Sequence, residues 1–158
     1  MSEPAGSVGR VRAALLAAGH PDTITEFPAG TRTAVDAAAA VGCTVAQIAK
    51  SIVFRAEGRA AVIITSGANR VDSTKASAAL GVKLARADAD WVRATTGFAI
   101  GGVAPVGHIS SPLLLLDADL LALEPIWAAA GSPSHVFRTT AAALRQITGA
   151  PVAEVRQA

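Results

Sequence analysis

The sequence predicts one mixed α/β domain, residues 1–158, in which helices surround a curled mixed β-sheet that approaches a barrel. Three observations lead there. Strand-like and helix-like segments follow one another irregularly, without the repeated βαβ units of a doubly wound parallel sheet. Residues 51–65 carry a clear hairpin pattern. The length is that of one ordinary domain, and a hydrophobic fraction of 51% is ample for a single core.

Residues 8–18 place Val8, Val11, Leu15 and Leu16 on one helical face, and Gly19 ends the pattern. A short extended stretch, residues 23–27, follows His20-Pro21. Thr33 or the residue before it caps a second helix, which runs through residues 35–41 and closes at Gly42. Residues 44–49 read as a helical turn leading into a strand. The β-rich runs 51–55 and 60–65 are separated by Ala56-Glu57-Gly58-Arg59, which makes them a hairpin.

Asp72 stands where a helix cap belongs, with Ala76, Ala79 and Leu80 as the inner face and Gly81 as the stop. Asp88 caps a short helix through Trp91 and Val92 that ends at Gly97. No period survives between Gly97 and Pro112, which marks a long loop. Residues 113–116 form a buried strand, and residues 126–130 and 135–138 a second hairpin across Gly131-Ser132-Pro133-Ser134. Thr139 or Thr140 caps a last helix through Leu144 and Ile147, broken by Gly149-Ala150-Pro151, and residues 152–155 are a final strand.

Composition narrows the function. Much of the apolar fraction is alanine and aromatics are only 4%, so close backbone packing must supply much of the stability. Net charge is +2 with 16% charged residues, and no run of Lys or Arg exists to grip a long phosphate backbone. A nucleic-acid partner would be held at one end rather than along its length.

Cys43 is the only cysteine, which rules out an intrachain disulfide or thiolate cluster; it reads as a small buried or bystander thiol. Residues 1–9 lack the regions of a signal peptide, and the longest apolar run, 113–116, is too short for a bilayer. The expectation is a soluble cytoplasmic protein. Phosphate-binding loop, dinucleotide and nucleophile-elbow motifs are all missing. His20, His108 and His135 are widely spaced, with no acidic partner at ligand spacing. No metal or other cofactor is expected, and any hydrolysis would proceed without a protein nucleophile.

Two segments carry the candidate chemistry. Lys50 stands at the start of an otherwise apolar strand, either as a solvated end residue or as a cation fixed at a pocket rim to hold a phosphate or carboxylate. The segment from Gly97 to His108 packs four glycines and a proline among apolar residues. It is either a tight structural loop or a cluster of N–H groups able to stabilise the oxyanion of acyl transfer.

Taken together, the segments resemble the YbaK/EbsC proteins and the editing domain related to bacterial prolyl-tRNA synthetase. The likeness rests on Ala49-Lys50-Ser51-Ile52-Val53-Phe54, on Val62-Ile63-Ile64 ending at Thr65-Ser66-Gly67, and on Arg70-Val71-Asp72. It continues through Thr96-Gly97-Phe98-Ala99-Ile100-Gly101-Gly102-Val103-Ala104-Pro105-Val106-Gly107, and covers the chain roughly from Thr23 to the last helix.

The resemblance implies a single-domain pseudo-barrel that hydrolyses mischarged aminoacyl-tRNA in trans, tRNA-Pro carrying a small amino acid being one candidate. It places Lys50 on the family's functional lysine, beside the phosphate near the tRNA 3′ end. Gly101 and Pro105 fall on its Gly-x-x-x-P pattern, against the terminal adenosine and the aminoacyl carbonyl. Lys50, Gly101 and Gly102 are the expected catalytic positions. Ser51, Ser66, Gly67, Ile100, Val103, Pro105 and His108 are the expected substrate-binding ones. The partners are an aminoacyl-tRNA 3′ end and an aminoacyl-tRNA synthetase.

His108 is either a base near neutral pH or a surface residue after the loop. Asp117 and Asp119 either reach the pocket or are solvated after their strand. The competing functional reading is a catalytically silent module of the same fold that binds an aminoacyl or nucleotide ligand. A generic esterase is disfavoured by the missing nucleophile.

Overall fold

The computed structural model describes residues 6–27 and 33–158. Residues 1–5, part of the stretch searched for a signal peptide, and residue 32, the alternative cap of the second helix, lie outside the described residues.

Helix α1 (Gly6–Ala17) buries Val11 and Leu15 completely, whereas Leu16 is half exposed. At about 100° per residue, Leu16 is carried off the face that Val11 and Leu15 share. Strand β1 (Ile24–Glu26) precedes helix α2 (Ala34–Val41). The Thr33 hydroxyl accepts the Asp36 N–H at the start of α2, and left-handed Gly42 closes it. A 3-10 turn, Val45–Gln47, leads into β2 (Ile48–Ala56). The Gln47 side chain accepts the Thr44 N–H and donates to the Pro125 carbonyl.

Strands β2 and β3 (Arg59–Ser66) pair in register from Ala49↔Ser66 to Ala56↔Arg59. They extend further than their β-rich runs suggest, leaving Glu57 and Gly58 as a two-residue turn. Both have positive φ, 55° and 85°, the backbone a tight hairpin turn of matching twist requires.

Asp72, Asp88 and Thr140 cap α3 (Ser73–Leu80), α4 (Ala89–Thr96) and α5 (Ala141–Thr148). Gly81, Gly97 and Gly149 end them. On α3 the buried face is narrow: Ala76 is fully buried and Leu80 packs beside it, while Ala79 is exposed.

Between α3 and α4 lies β4 (Ala85–Arg86), too short to leave a pattern in the sequence. Strand β5 (Leu113–Asp117) is followed by a 3-10 turn, Ala118–Ala122, and then by the hairpin of β6 (Ile126–Ala129) and β7 (His135–Thr139). The last strand, β8 (Val152–Ala153), is shorter than expected, and beyond it Arg156 bridges to Val71.

The sheet order is β1-β7-β6-β2-β3-β5-β8, with β4 also paired to β2. The sheet is mixed, as its irregular connectivity predicts. The order does not return to its first strand, so the sheet does not close into a barrel.

Every residue of β3 after Arg59 is buried, because both faces are covered. Val62 and Ile64 join the main core with Leu15, Phe98, Leu116 and Phe137. Ile63 meets Leu115, Ala76 and Val155 on the other face. Burial on both faces explains a continuous apolar run where a one-sided strand would alternate.

Where β3 and β5 end, Asp117 is fully buried rather than solvated. Its carboxylate accepts from the Thr65 hydroxyl (2.7 Å), the Ser66 N–H (3.1 Å), the Asn69 amide (2.8 Å) and the Asp119 N–H (2.9 Å). Asp119 is partly exposed, accepts from Asn69 and lies 3.4 Å from the Arg156 guanidinium. This network fixes the turn after β3, directly across from Lys50.

Asp117→Asn would turn an amide N–H toward groups that are themselves donors. We expect it to cost about 2–3 kcal/mol and to lower Tm by roughly 5–10 °C. An unchanged Tm in a thermal melt would show that the network does not hold the turn.

Candidate active site

The site begins with the second edge of β2. Along one edge β2 pairs with β3 over its whole length. Along the other it pairs in parallel with β6 only at Ile48 and Ala49, and with β4 only at Phe54 and Arg55. β6 and β4 therefore leave a gap between them, and a pocket of about 270 Å³ opens there. The residues 49–52 of β2 form one wall, Ala34 and Ala37 of α2 another, and Trp127 and Val136 a third. Ile100, Gly101 and Val103 of the long loop complete it.

Lys50 lines this pocket, and its ammonium has no ion-pair or hydrogen-bond partner among the described residues. Burial pushes its ammonium below the ordinary lysine range, and the like charge of Arg70 pushes it further. A cation held in this way gains most from an anion supplied by a ligand.

The loop between α4 and β5 owes its shape to Arg10. The Arg10 guanidinium donates to the Gly97 carbonyl at 2.6 Å and to the Gly107 carbonyl at 3.1 Å, tying the two ends together. It also lies 5.2 Å from the centre of the buried Phe98 ring. Gly101 has φ +94°, a conformation in which any side chain is strained. At Gly102 a β-carbon would lie 2.8 Å from the Ser132 backbone, so the loop and the β6–β7 turn are in direct contact.

Five of the expected site residues thus meet at one pocket: Lys50, Ser51, Ile100, Gly101 and Val103. The others lie around it. Gly102 sits behind the lining, its N–H already donated to the Ala99 carbonyl. The Ser66 hydroxyl donates to the Ala46 carbonyl, and the Gly67 N–H donates to the Ile48 carbonyl at 2.6 Å. A β-carbon on Gly67 would meet the Val45 carbonyl. Both residues hold the start of β2 in place.

Pro105 and His108 border a separate shallow cleft against α5. The His108 ring bonds the Ala104 carbonyl at 2.7 Å and stands edge-on to Phe98. Burial pushes its pKa down, outweighing the upward pull of that carbonyl, so the ring is held neutral.

His20 bonds Thr139 and the Pro21 carbonyl, and His135 bonds Ser132 at 2.5 Å. No group of three or more His, Cys, Asp or Glu able to hold a metal occurs among the described residues. The Cys43 thiol donates to the Thr44 carbonyl, and burial pushes its pKa up, away from the thiolate. No described helix is long and apolar enough to cross a membrane.

Arg10, Ala34, Ala37, Trp127 and Val136 were not anticipated as part of the site. They come from segments far apart in the chain.

Comparison with known proteins identifies the family. Residues 28–147 match the aminoacyl-tRNA editing domain family. The uncharacterised protein YwhH of Bacillus subtilis (strain 168) is 32% identical over 118 residues, 74% of this chain and 75% of that protein. A solved structure described as a candidate trans-editing enzyme for prolyl-tRNA synthetase superposes with a TM-score of 0.90. It is 46% identical, with 96% of this chain and 98% of that one covered. A protein used as a scaffold for computational grafting of linear epitopes gives a TM-score of 0.89 at 43% identity, with the same coverage. The match over residues 28–147 takes in β2, the pocket and the glycine loop, and the chain belongs to the aminoacyl-tRNA editing domain family.

Proposed function

We propose that this chain is a trans-acting deacylase that hydrolyses the ester of mischarged aminoacyl-tRNA, with tRNA-Pro carrying a small amino acid as the candidate substrate. The observation that carries the reading is Lys50, a partly buried cation without a counter-ion among the described residues, on the wall of a pocket whose other lining is mainly apolar. It suits the phosphate beside the terminal adenosine as a point charge. In this reading the Gly101 N–H polarises the ester carbonyl, since the Gly102 N–H is already engaged. Ser51, Ile100 and Val103 contact the aminoacyl end. Ser66, Gly67, Gly102, Pro105 and His108 support the wall and the loop.

The reaction is the attack of one water on the carbonyl carbon, oriented by the substrate's own terminal ribose hydroxyl. The bond from carbonyl carbon to ribose oxygen breaks, the ribose oxygen takes a proton, and free amino acid leaves. An aminoacyl ester is already activated, so positioning and oxyanion stabilisation supply most of the acceleration. The mainly apolar lining limits the amino acid by size, a sieve worth only about 1–3 kcal/mol per methylene. The chain has no basic tract for the tRNA body, which favours recognition at the acceptor end, with further affinity drawn from a synthetase. A silent binding module remains the competing reading, and deacylation assays separate the two.

Across a panel of mischarged tRNAs, the wild type should hydrolyse at least one well above the buffer rate. Lys50→Ala should raise KM about 10–100-fold and leave kcat within about threefold. Hydrolysis of none of the panel would defeat the deacylase reading, and a fully active Lys50→Ala would defeat the phosphate anchor.

The lowered Lys50 pKa also sets a pH dependence. Affinity for a non-hydrolysable, amide-linked aminoacyl minihelix should be complete at neutral pH. It should fall as Lys50 loses its proton, with a midpoint below that of an ordinary lysine. Lys50→Ala should remove that transition, and its persistence in the variant would assign it to another group.

Gly101→Val places a β-branched side chain at φ +94° on the pocket wall. We expect a stability loss of about 1–3 kcal/mol and activity reduced well beyond the folded fraction measured by circular dichroism. Activity that simply follows the folded fraction would remove the loop from the site.

A further inference from the structure

The pocket wall contains polar groups that phosphate anchoring and carbonyl polarisation leave unused. In an antiparallel ladder, successive residues turn their N–H and C=O alternately toward the partner strand and away from it. The bond from the Gly67 N–H to the Ile48 carbonyl and the two-residue turn at Glu57-Gly58 fix that alternation for β2. Ile48, Lys50, Ile52 and Phe54 turn toward β3. Ala49, Ser51, Val53 and Arg55 turn toward the opposite edge.

There Ala49 meets β6 and Arg55 meets β4. Ser51 falls in the gap, where no strand residue pairs with it among the described residues. The Ser51 hydroxyl is also buried without a hydrogen-bond partner among the described residues, and Ser51 lines the pocket. A buried hydroxyl is seldom left unpaired unless something absent completes it.

Chemistry indicates what that is. Beyond its ester oxygens, an aminoacyl end carries an α-ammonium, which only donates and needs acceptors. Ser51 presents two acceptors, its open-edge carbonyl and its hydroxyl, and no carboxylate among the described residues lines the pocket. Successive strand residues point to opposite faces, so the Lys50 and Ser51 side chains leave β2 on opposite sides. An ammonium at Ser51 is thereby directed away from the like charge of Lys50.

We infer that Ser51 reads the free α-amino group of the substrate, so that the pocket takes aminoacyl esters with an unmodified amine and refuses N-acylated ones, peptidyl ends included. This rests on the deacylase reading of the same pocket. Acylation removes the charge and two of the three donors, and adds bulk against the wall of β2.

The test uses the full chain and acceptor-stem minihelices ending in 3′-amino-3′-deoxyadenosine. These carry alanine in amide linkage, with its amine either free or acetylated. Wild type should bind the free amine about tenfold or more tightly than the acetylated form. Ser51→Ala should narrow that ratio without lowering Tm, since the hydroxyl has no partner to lose among the described residues, and Ser51→Thr should restore it. Equal wild-type affinity for the two analogues, while mischarged tRNA is still hydrolysed, overturns this inference alone. A Ser51→Ala variant with a lowered Tm and an unchanged ratio also overturns it, making the hydroxyl structural. Binding of neither analogue together with no hydrolysis of any mischarged tRNA overturns the deacylase reading and this inference with it.

Discussion

Strand β2 is bonded to β3 along the whole of one edge, while β6 and β4 share the other edge and do not meet. Most of the functional architecture depends on that arrangement. A fully paired edge would have no opening, and an edge bare from end to end would have nothing to hold the pocket's shape. The β2–β3 hairpin makes β2 rigid, its two short partners fix both ends of the gap, and α2 and the glycine loop roof it. Lys50 and Ser51 are placed on the wall by strand geometry, which positions groups more tightly than a loop does.

Two sets of polar contacts keep that frame in register. Asp117 gathers four donors at the end of β5 and so fixes the turn that follows Ser66. Arg10 reaches from α1 to both ends of the glycine loop. Neither lines the pocket, and each acts by leaving the backbone one favourable course. In an alanine-rich core with few large side chains, satisfied polar contacts of this kind add the directionality that apolar packing lacks. The result is a pocket whose wall presents backbone groups, one hydroxyl and one charge.

Much of the fold could be read from the sequence where the determining interactions are local. Thr33, Asp72, Asp88 and Thr140 cap helices through N–H groups two or three residues away, and the glycines that end those helices act within one residue. The turn at Glu57-Gly58 is equally local. The reading was weaker where a residue's position depends on what covers it. Leu16 and Ala79 are ordinary helix formers whose exposure follows from neighbours chosen by the tertiary fold. The two-residue β4 has no pattern of its own and exists because β2 offers it an edge.

The site divides along the same line. The sequence by itself determined that a lysine opens an apolar strand and that a glycine-rich loop lies between α4 and β5. Its motifs, read together, also indicated the editing family. Only the tertiary structure decided that Lys50 and Gly101 share one pocket, that His108 and Pro105 border another cleft, and that Asp117 is buried under the turn. Only the structure could show that the Ser51 edge is open, because an unpaired strand edge is a property of which strands arrive beside it. Covalent neighbours set the local conformation, but pocket, burial and free hydrogen-bonding groups arise from contacts between residues far apart in the chain.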